Sequence, residues 1–387
     1  MKKPVYLDNA ATTPLHPEVL EAMMPYLTDH FGNASAIHAF GREARAAIER
    51  VRKIVAQSLN ASTGEVFFTS GGTESSNMVL KGAVDHLGVQ RIITSPIEHH
   101  CVLHTVGHLE DAGKVRVEII HVDALGRFDL PHIEELLKAN SIKTLVSLMH
   151  GNNEIGTVAD IDAIAELCKK YGALFHSDTV QTIAHFPIDV QIGVNFITGS
   201  AHKFHGPKGC GFVYISGDAM IPPYLHGGSQ ERNMRAGTEN VHGIVGLGKA
   251  VELAVSNMDE DRAHIEALRS RMIEGLRRAI PEVQFNGDVD GHYLYTILSV
   301  SLPPAEFSDM ILYNLDMAGI AASSGSACSS GSNMESHVLS AIGADTTRPS
   351  IRFSFSKFNT DEEIDYAVEK VAAMVNAGVH ADQVATP

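Results

Sequence analysis

Three stretches of this 387-residue chain carry side chains able to do chemistry. In the first, Ser200-Ala-His-Lys203-Phe204-His205-Gly206-Pro207, the apolar, β-prone segments 195–199 and 212–215 flank a tight loop and place Lys203 on it. An amine held among His, Phe and Ser, with Gly and Pro close behind, is partly desolvated, which lowers its pKa and favours the nucleophilic form. Such a lysine can form a Schiff base, although the stretch alone also reads as a surface loop lysine. In the second, residues 173–178 form an apolar strand ending in Asp178, with Gln181 three residues later. Asp178 reads as a helix N-cap or as the acid that pairs with a cationic ring nitrogen, and the two roles are compatible. In the third, Phe67-Phe-Thr-Ser-Gly71-Gly72-Thr73-Glu74, a β-prone run meets a glycine pair and then a helical pattern. That order sets free backbone N–H groups and the Thr73 hydroxyl at a helix N-terminus, which favours a phosphate.

A phosphate turn, a ring acid and a Schiff-base lysine are what a pyridoxal phosphate site needs. They occur here in the order a fold-type I enzyme of that class requires. The segments that must position them alternate. Apolar runs at 66–68, 91–93, 115–122, 145–149, 173–175 and 196–198 are separated mostly by stretches long enough for helices, from Val66 to about Ile215. This pattern predicts a mainly parallel sheet covered by helices, with ligands at the carboxyl ends of its strands. Upstream, helices are expected over Pro17 to Leu27 and about Arg42 to Leu59, the latter with an apolar core stripe from Ala44 to Leu59. Residues 241–280 read as one long helical connector, and composition shifts at Pro281. An α+β unit follows: strand 294–302, helix 306–317, a short strand near Ile320, a loop bearing Cys328, strand 351–355 and helix 360–377. The expected division is a large domain over 16–260 and a small domain made of 1–15 and 261–387.

Composition excludes several classes. With 30 basic and 46 acidic residues and a net charge of −16, the chain lacks the basic surface a nucleic acid demands. No apolar run is long enough for a signal core or a bilayer span, so a cytoplasmic protein is expected. Its four cysteines form no C-x-x-C pair and no disulfide framework, and Cys168 and Cys210 read as packing residues. His100, His104 and His108 fall at helical i, i+4 and i+8 beside Cys101. This is either a metal-binding face or, as expected here, a packed histidine face with no metal.

The segments Tyr6-Leu-Asp-Asn-Ala-Ala-Thr-Thr-Pro14, Thr69 to Glu74, Glu98-His99, Asn152 to Gly156, His202-Lys203, Gln230 to Arg232, Arg235 to Thr238 and Ser323 to Cys328 resemble, in this order, the NifS/IscS-type cysteine desulfurases. The resemblance runs from about residue 5 to about residue 375. It implies an α/β, fold-type I pyridoxal 5′-phosphate-dependent homodimer that converts L-cysteine to L-alanine. Cys328, in a run of small residues, is the implied nucleophile and takes the sulfur as a persulfide. Lys203 is the implied Schiff-base and proton-carrying lysine, and His99 is implied to stack on the ring. Asn153 and Gln181 would hold the ring hydroxyl or substrate. Gly72, Thr73, Ser200 and His202 would hold the phosphate, with Thr238 reaching it from the neighbouring subunit. Arg352 would fork onto the substrate carboxylate; without the family it reads equally as a strand-edge arginine in an ion pair.

The implied acceptor of the sulfur is an iron–sulfur scaffold or a thiolation enzyme. The chain ends soon after its last helix, short of the tail with which housekeeping members dock a scaffold, so which acceptor is served stays open. Gly151, Thr179 and Asn233 depart from the family's usual residues without removing a chemical group. Rival readings are a selenocysteine lyase or cysteine sulfinate desulfinase on the same scaffold, where Cys328 is dispensable, and a non-catalytic sulfur-carrier subunit.

Overall fold

The computed structural model describes residues 4–139, 142–304, 310–324 and 336–384, with 377–384 as backbone alone. After a first short strand, β1 (Val5–Tyr6), the central sheet is built from β2 (Val66–Thr69), β3 (Arg91–Thr94), β4 (Arg116–Ile119), β5 (Thr144–Ser147), β6 (Leu174–Asp178), β7 (Phe196–Ser200) and β8 (Gly211–Ile215). Its order is β2-β8-β7-β6-β5-β3-β4. Every pairing is parallel except the two made by β8, which runs antiparallel between β2 and β7. The α/β reading therefore holds, with one reversed strand. Strands buried on both faces read as continuous apolar runs, as in Val66-Phe-Phe and Phe212-Val-Tyr-Ile215.

Helices α1 (Pro17–Thr28), α2 (Ala39–Ser58), α3 (Gly72–His86), α4 (His100–Asp111), α5 (Leu130–Lys138), α6 (Ile161–Tyr171) and α7 (Val241–Ser256) cover the sheet. One apolar core joins α1, α2, α5, α6 and α7 to the sheet through residues such as Val51, Ile164, Phe175 and Leu247. The opposite face packs α3 and α4 through Met78, Val79, Val102 and Val106. The expected single connector helix is two, because the chain leaves helical geometry at Asn257 (φ −110°, ψ 11°) before α8 (Met258–Ala279) begins with Asp259, Glu260 and Asp261 in its first turn. Acidic side chains there favour a new helix start, and the sequence offered no Gly or Pro to mark the break.

A second core lies on a small antiparallel sheet, β12-β10-β9, formed by β9 (Gln284–Asn286), β10 (Ile297–Ser301) and β12 (Ser350–Ser354). Around it stand α8, α9 (Ile311–Met317) and α11 (Asp361–Val384), through Leu268, Met272, Leu315, Ile364 and Val371. Val5 and Leu7 belong to this second core, and β1 pairs in parallel with β11 (Ile320–Ala321). The last short helix, α10 (His337–Ala341), packs Val338 against Ile97 and Ile155 of the central-sheet layer. Among the described residues no helix is long and apolar enough to cross a membrane.

Candidate active site

The three predicted stretches converge because each follows the carboxyl end of a strand of the central sheet, β2, β6 and β7 all running in one direction. Lys203 closes the short helical turn after β7, Asp178 ends β6, and the Gly71-Gly72 turn leads from β2 into α3. They line one cavity of about 330 Å³ with Thr73, His99, Asn153, Gln181, Ser200, His202 and Arg352. Thr238 is not part of that lining and is exposed on the single chain. Cys328 lies outside the described residues.

The end of the cavity at the Gly71-Gly72 turn is shaped by absence of side chains. Gly71 sits at φ +151°, and a Cβ on Gly72 would stand 2.6 Å from the Val180 side chain. Helices α1, α2, α4, α5, α6 and α7 each donate a first-turn backbone N–H to an N-cap side chain, whereas α3 begins without such an acceptor. An uncapped N-terminus presents free N–H groups and the positive end of the helix dipole. Ser200, His202 and Thr73 border it. Burial and the Lys203 and Lys208 charges push the His202 imidazole down to about 4, and its Nδ1 lies 3.2 Å from Thr12 Oγ1.

At the floor, Asp178 is buried; its Oδ1 accepts from Val180 N at 3.0 Å, and its Oδ2 lies 4.0 Å from the Cys101 thiol. Asp178 lines the cavity, and its Oδ1 also accepts from Thr198 Oγ1 at 3.4 Å. His99 caps α4, its Nδ1 accepting from Cys101 N at 3.1 Å, so its ring proton sits on Nε2. Burial lowers the His99 pKa against the opposing pull of Asp178. A neutral ring of this kind can stack on a planar ligand and exchange a proton.

Lys203 Nζ donates to the backbone carbonyls of Ala10 and Ala11, and Gln181 Nε2 donates to the same Ala10 oxygen at 3.1 Å. Arg352 reaches the cavity from β12 and is 2% exposed; its Nη1 donates to Asn153 O at 2.8 Å and its Nη2 to Asp8 Oδ1 at 2.9 Å. Its backbone pairs with Ser323, the Arg352 N–H donating to the Ser323 carbonyl at 2.6 Å. On the other side of the cavity, Ser336 donates to Glu154 Oε2 at 2.5 Å, and His337 Nε2 lies 2.9 Å from the Glu98 carbonyl.

Residues the sequence reading did not assign are therefore Asp8, the Ala10 and Ala11 carbonyls, Cys101, Glu154 and His337. The 6–14 segment carried the signal for the first two as a motif whose residues were given no role, whereas nothing around Ser336-His337 marks it locally. Of the histidine row, His100 is half-buried while His104 and His108 are exposed. His100 stacks near His104 at 4.8 Å and His337 at 4.6 Å between ring centroids, and no group of side chains with metal-holding geometry occurs among the described residues.

The sequence profile of the aminotransferase class-V family matches residues 5–367. The chain is 44% identical to cysteine desulfurase IscS of Dictyoglomus turgidum over 97% of its own length and 95% of that protein. It is also 44% identical to cysteine desulfurase IscS of Methanosarcina thermophila, over 96% and 92%. Among solved structures, a NifS-like protein superposes with a TM-score of 0.89 at 37% identity, covering 97% of this chain and all of that one. SspA in complex with cysteine superposes with a TM-score of 0.79 at 33% identity, over 92% and 100%.

Proposed function

This chain belongs to the class-V aminotransferase family and, within it, to the cysteine desulfurases, and from that premise we propose that it uses pyridoxal 5′-phosphate to take sulfur from L-cysteine and release L-alanine. The observation that carries the reading is the convergence on one cavity of the Lys203 amine, the Asp178 carboxylate and the uncapped start of α3. These groups fit the cofactor's aldehyde, ring nitrogen and phosphate respectively. When bound, it would supply an electron sink conjugated to the substrate's α-carbon.

The chain's own residues account for the rest. The α3 N–H groups, Thr73, Ser200 and His202 would hold the phosphate beside Gly72, with Thr238 of a second copy completing the cradle in a homodimer. Exposure of Thr238 outside the cavity supports that arrangement. Asp178 would hold a proton at the ring nitrogen, while His99 covers the ring and Gln181 and Asn153 orient the bound groups. Arg352 would receive the α-carboxylate bidentately. The Cys328 thiolate then attacks the substrate sulfur. A sulfur–sulfur bond forms, the carbon–sulfur pair stays on the carbon side, and protonation of that side from Lys203 Nζ yields alanine. The persulfide sulfur would pass to an acceptor protein, an iron–sulfur scaffold or a thiolation enzyme. We further take residues 16–260 as the cofactor-binding domain and 1–15 with 261–387 as the small domain, a division supported by the two separate apolar cores. The acidic balance and the free thiols of Cys101, Cys168 and Cys210 accord with a cytoplasmic enzyme.

The test is alanine released from L-cysteine by wild type and Cys328→Ala, each loaded with cofactor and supplied with reductant. Release by the wild type alone supports the persulfide route. Equal release by both would move the protein to the selenocysteine lyase or desulfinase reading, and no release by either, with no cofactor absorbance band, would favour a non-catalytic sulfur carrier.

A further inference from the structure

We infer that Asp8 is a positioning residue for substrate: it fixes the Arg352 guanidinium that receives the α-carboxylate, and thereby sets a preference for amino acids over amines that lack one. The inference rests on the reading of Arg352 given above.

A guanidinium has five N–H donors in a rigid fork. In Arg352 one Nη1 proton goes to the Asn153 carbonyl and one Nη2 proton to Asp8, while Nε is buried with no partner among the described residues. One proton on Nη1 and one on Nη2 are left over from these two bonds, and they are the donors an incoming carboxylate can take. The grip of Asp8 on Nη2 determines which edge is left for that carboxylate. Asp8 also supplies the countercharge, since the Arg352 side chain is 2% exposed and Asp8 20%. A guanidinium buried that deeply without one would be strongly destabilised.

Asp8 is itself fixed. It bridges Ser354, two positions beyond Arg352 on β12, and the Ser354 N–H donates to the Leu7 carbonyl at 2.8 Å. The Asp8 carbonyl accepts from Ala11 N at 3.1 Å, which starts the turn whose Ala10 and Ala11 carbonyls receive Lys203. The spacing between carboxylate anchor and reactive lysine is thus set through one short segment of chain.

The experiment compares wild type, Asp8→Ala, Asp8→Asn and Arg352→Ala as holoenzymes. KM and kcat for L-cysteine come from alanine release. Apparent Kd values for L-cysteine and for cysteamine, which keeps the amine and thiol without the carboxylate, come from the change in cofactor absorbance. Asp8→Ala is expected to raise KM for L-cysteine about ten- to a hundredfold, the loss of one hydrogen bond to a charged group, with a smaller effect on kcat. Asp8→Asn retains an oxygen for Nη2 and should recover part of the loss, and it carries the test should the alanine variant fold poorly. Cysteamine affinity should stay within about twofold, as for a neutral substitution. Wild-type L-cysteine binding by both Asp8 variants, alongside its loss in Arg352→Ala, would overturn the role of Asp8 and leave Arg352 as the anchor. Parallel loss of cysteamine and L-cysteine would make Asp8 a general structural residue and overturn the inference. Undiminished L-cysteine binding by Arg352→Ala would instead overturn the anchor reading itself, and this inference with it.

Discussion

Glu98 offers a test of the physics beneath the active site. The residue is fully buried; Oε1 accepts from Ser95 Oγ at 2.7 Å and from Met149 N at 3.0 Å, and Oε2 has no partner among the described residues. Burial, and to a lesser degree the Asp178 charge, push its carboxyl up to about 8 from an ordinary 4.5. A carboxyl whose pKa is raised on folding contributes stability that is fully present below the unfolded value and lost as pH rises through the folded one. Between pH 6.5 and 8.5 the folded protein therefore releases a proton the unfolded chain has already lost. Since the folded pKa lies inside that window the slope flattens near its top, leaving a loss equivalent to about 1.4 pKa units, or about 2 kcal/mol. Glu98→Gln keeps an oxygen for Ser95 and Met149 and removes the titration. Denaturant unfolding of wild type and variant at pH 6.5, 7.5 and 8.5, at one fixed cofactor concentration, gives a difference in which other titrations cancel. The gap should move by about 2 kcal/mol in favour of the glutamine variant across the window. The buried thiols of Cys168 and Cys210, which burial pushes up to about 12, also lower stability near the top of the window as the unfolded chain ionises, but equally in both proteins, so they drop out of the difference. A gap that stays constant, or that moves the other way, would refute a protonated Glu98 at neutral pH.

Two further perturbations address the scaffold of the phosphate turn. Glu231 accepts from Arg52 Nη1 at 2.7 Å and Nη2 at 3.0 Å and from Phe68 N at 2.8 Å, with both side chains of the pair buried. Glu231→Ala should cost about 3–5 kcal/mol in denaturant unfolding by stranding the Arg52 charge; a loss under 1 kcal/mol would show that water reaches the pair. A Cβ on Gly211 would stand 2.5 Å from Gly199 O and 2.6 Å from Gly71 Cα. Gly211→Ala should therefore push the turn away from Ser200 and weaken cofactor binding in a titration by about tenfold or more, the equivalent of roughly 1–3 kcal/mol of overpacking strain, whereas unchanged affinity would mean that the turn does not form the phosphate cradle.

Lys203, Asp178 and the Gly71-Gly72 turn were legible because each signal is local: a strand-like run, then a residue of the right chemistry within a few positions. The sheet that gathers them was legible for the same reason, since alternating apolar runs and helical stretches force ligands to the strand ends. The reversal of β8 was not, because antiparallel and parallel strands buried on both faces share one apolar pattern. Nor was the left-handed run Glu231 (φ 43°), Arg232 (φ 57°) and Asn233 (φ 65°), which uses no glycine and persists because the Arg52 pair and the Phe68 N–H fix Glu231. The pairing of Asp8 with Arg352 spans 344 positions, and no local pattern can encode such a contact. What the sequence did show was a dense motif over residues 6–14 with no evident chemistry of its own. The structure explains that density: within those nine positions the backbone turns at Asp8, holds Lys203 at Ala10 and Ala11, and meets His202 and His205 through Thr12, Thr13 and Pro14. A segment whose constraint comes from several distant partners at once should tolerate substitution least where its backbone, rather than its side chain, makes the contact, as at Ala10 and Ala11, whose carbonyls receive Lys203 and, at Ala10, Gln181.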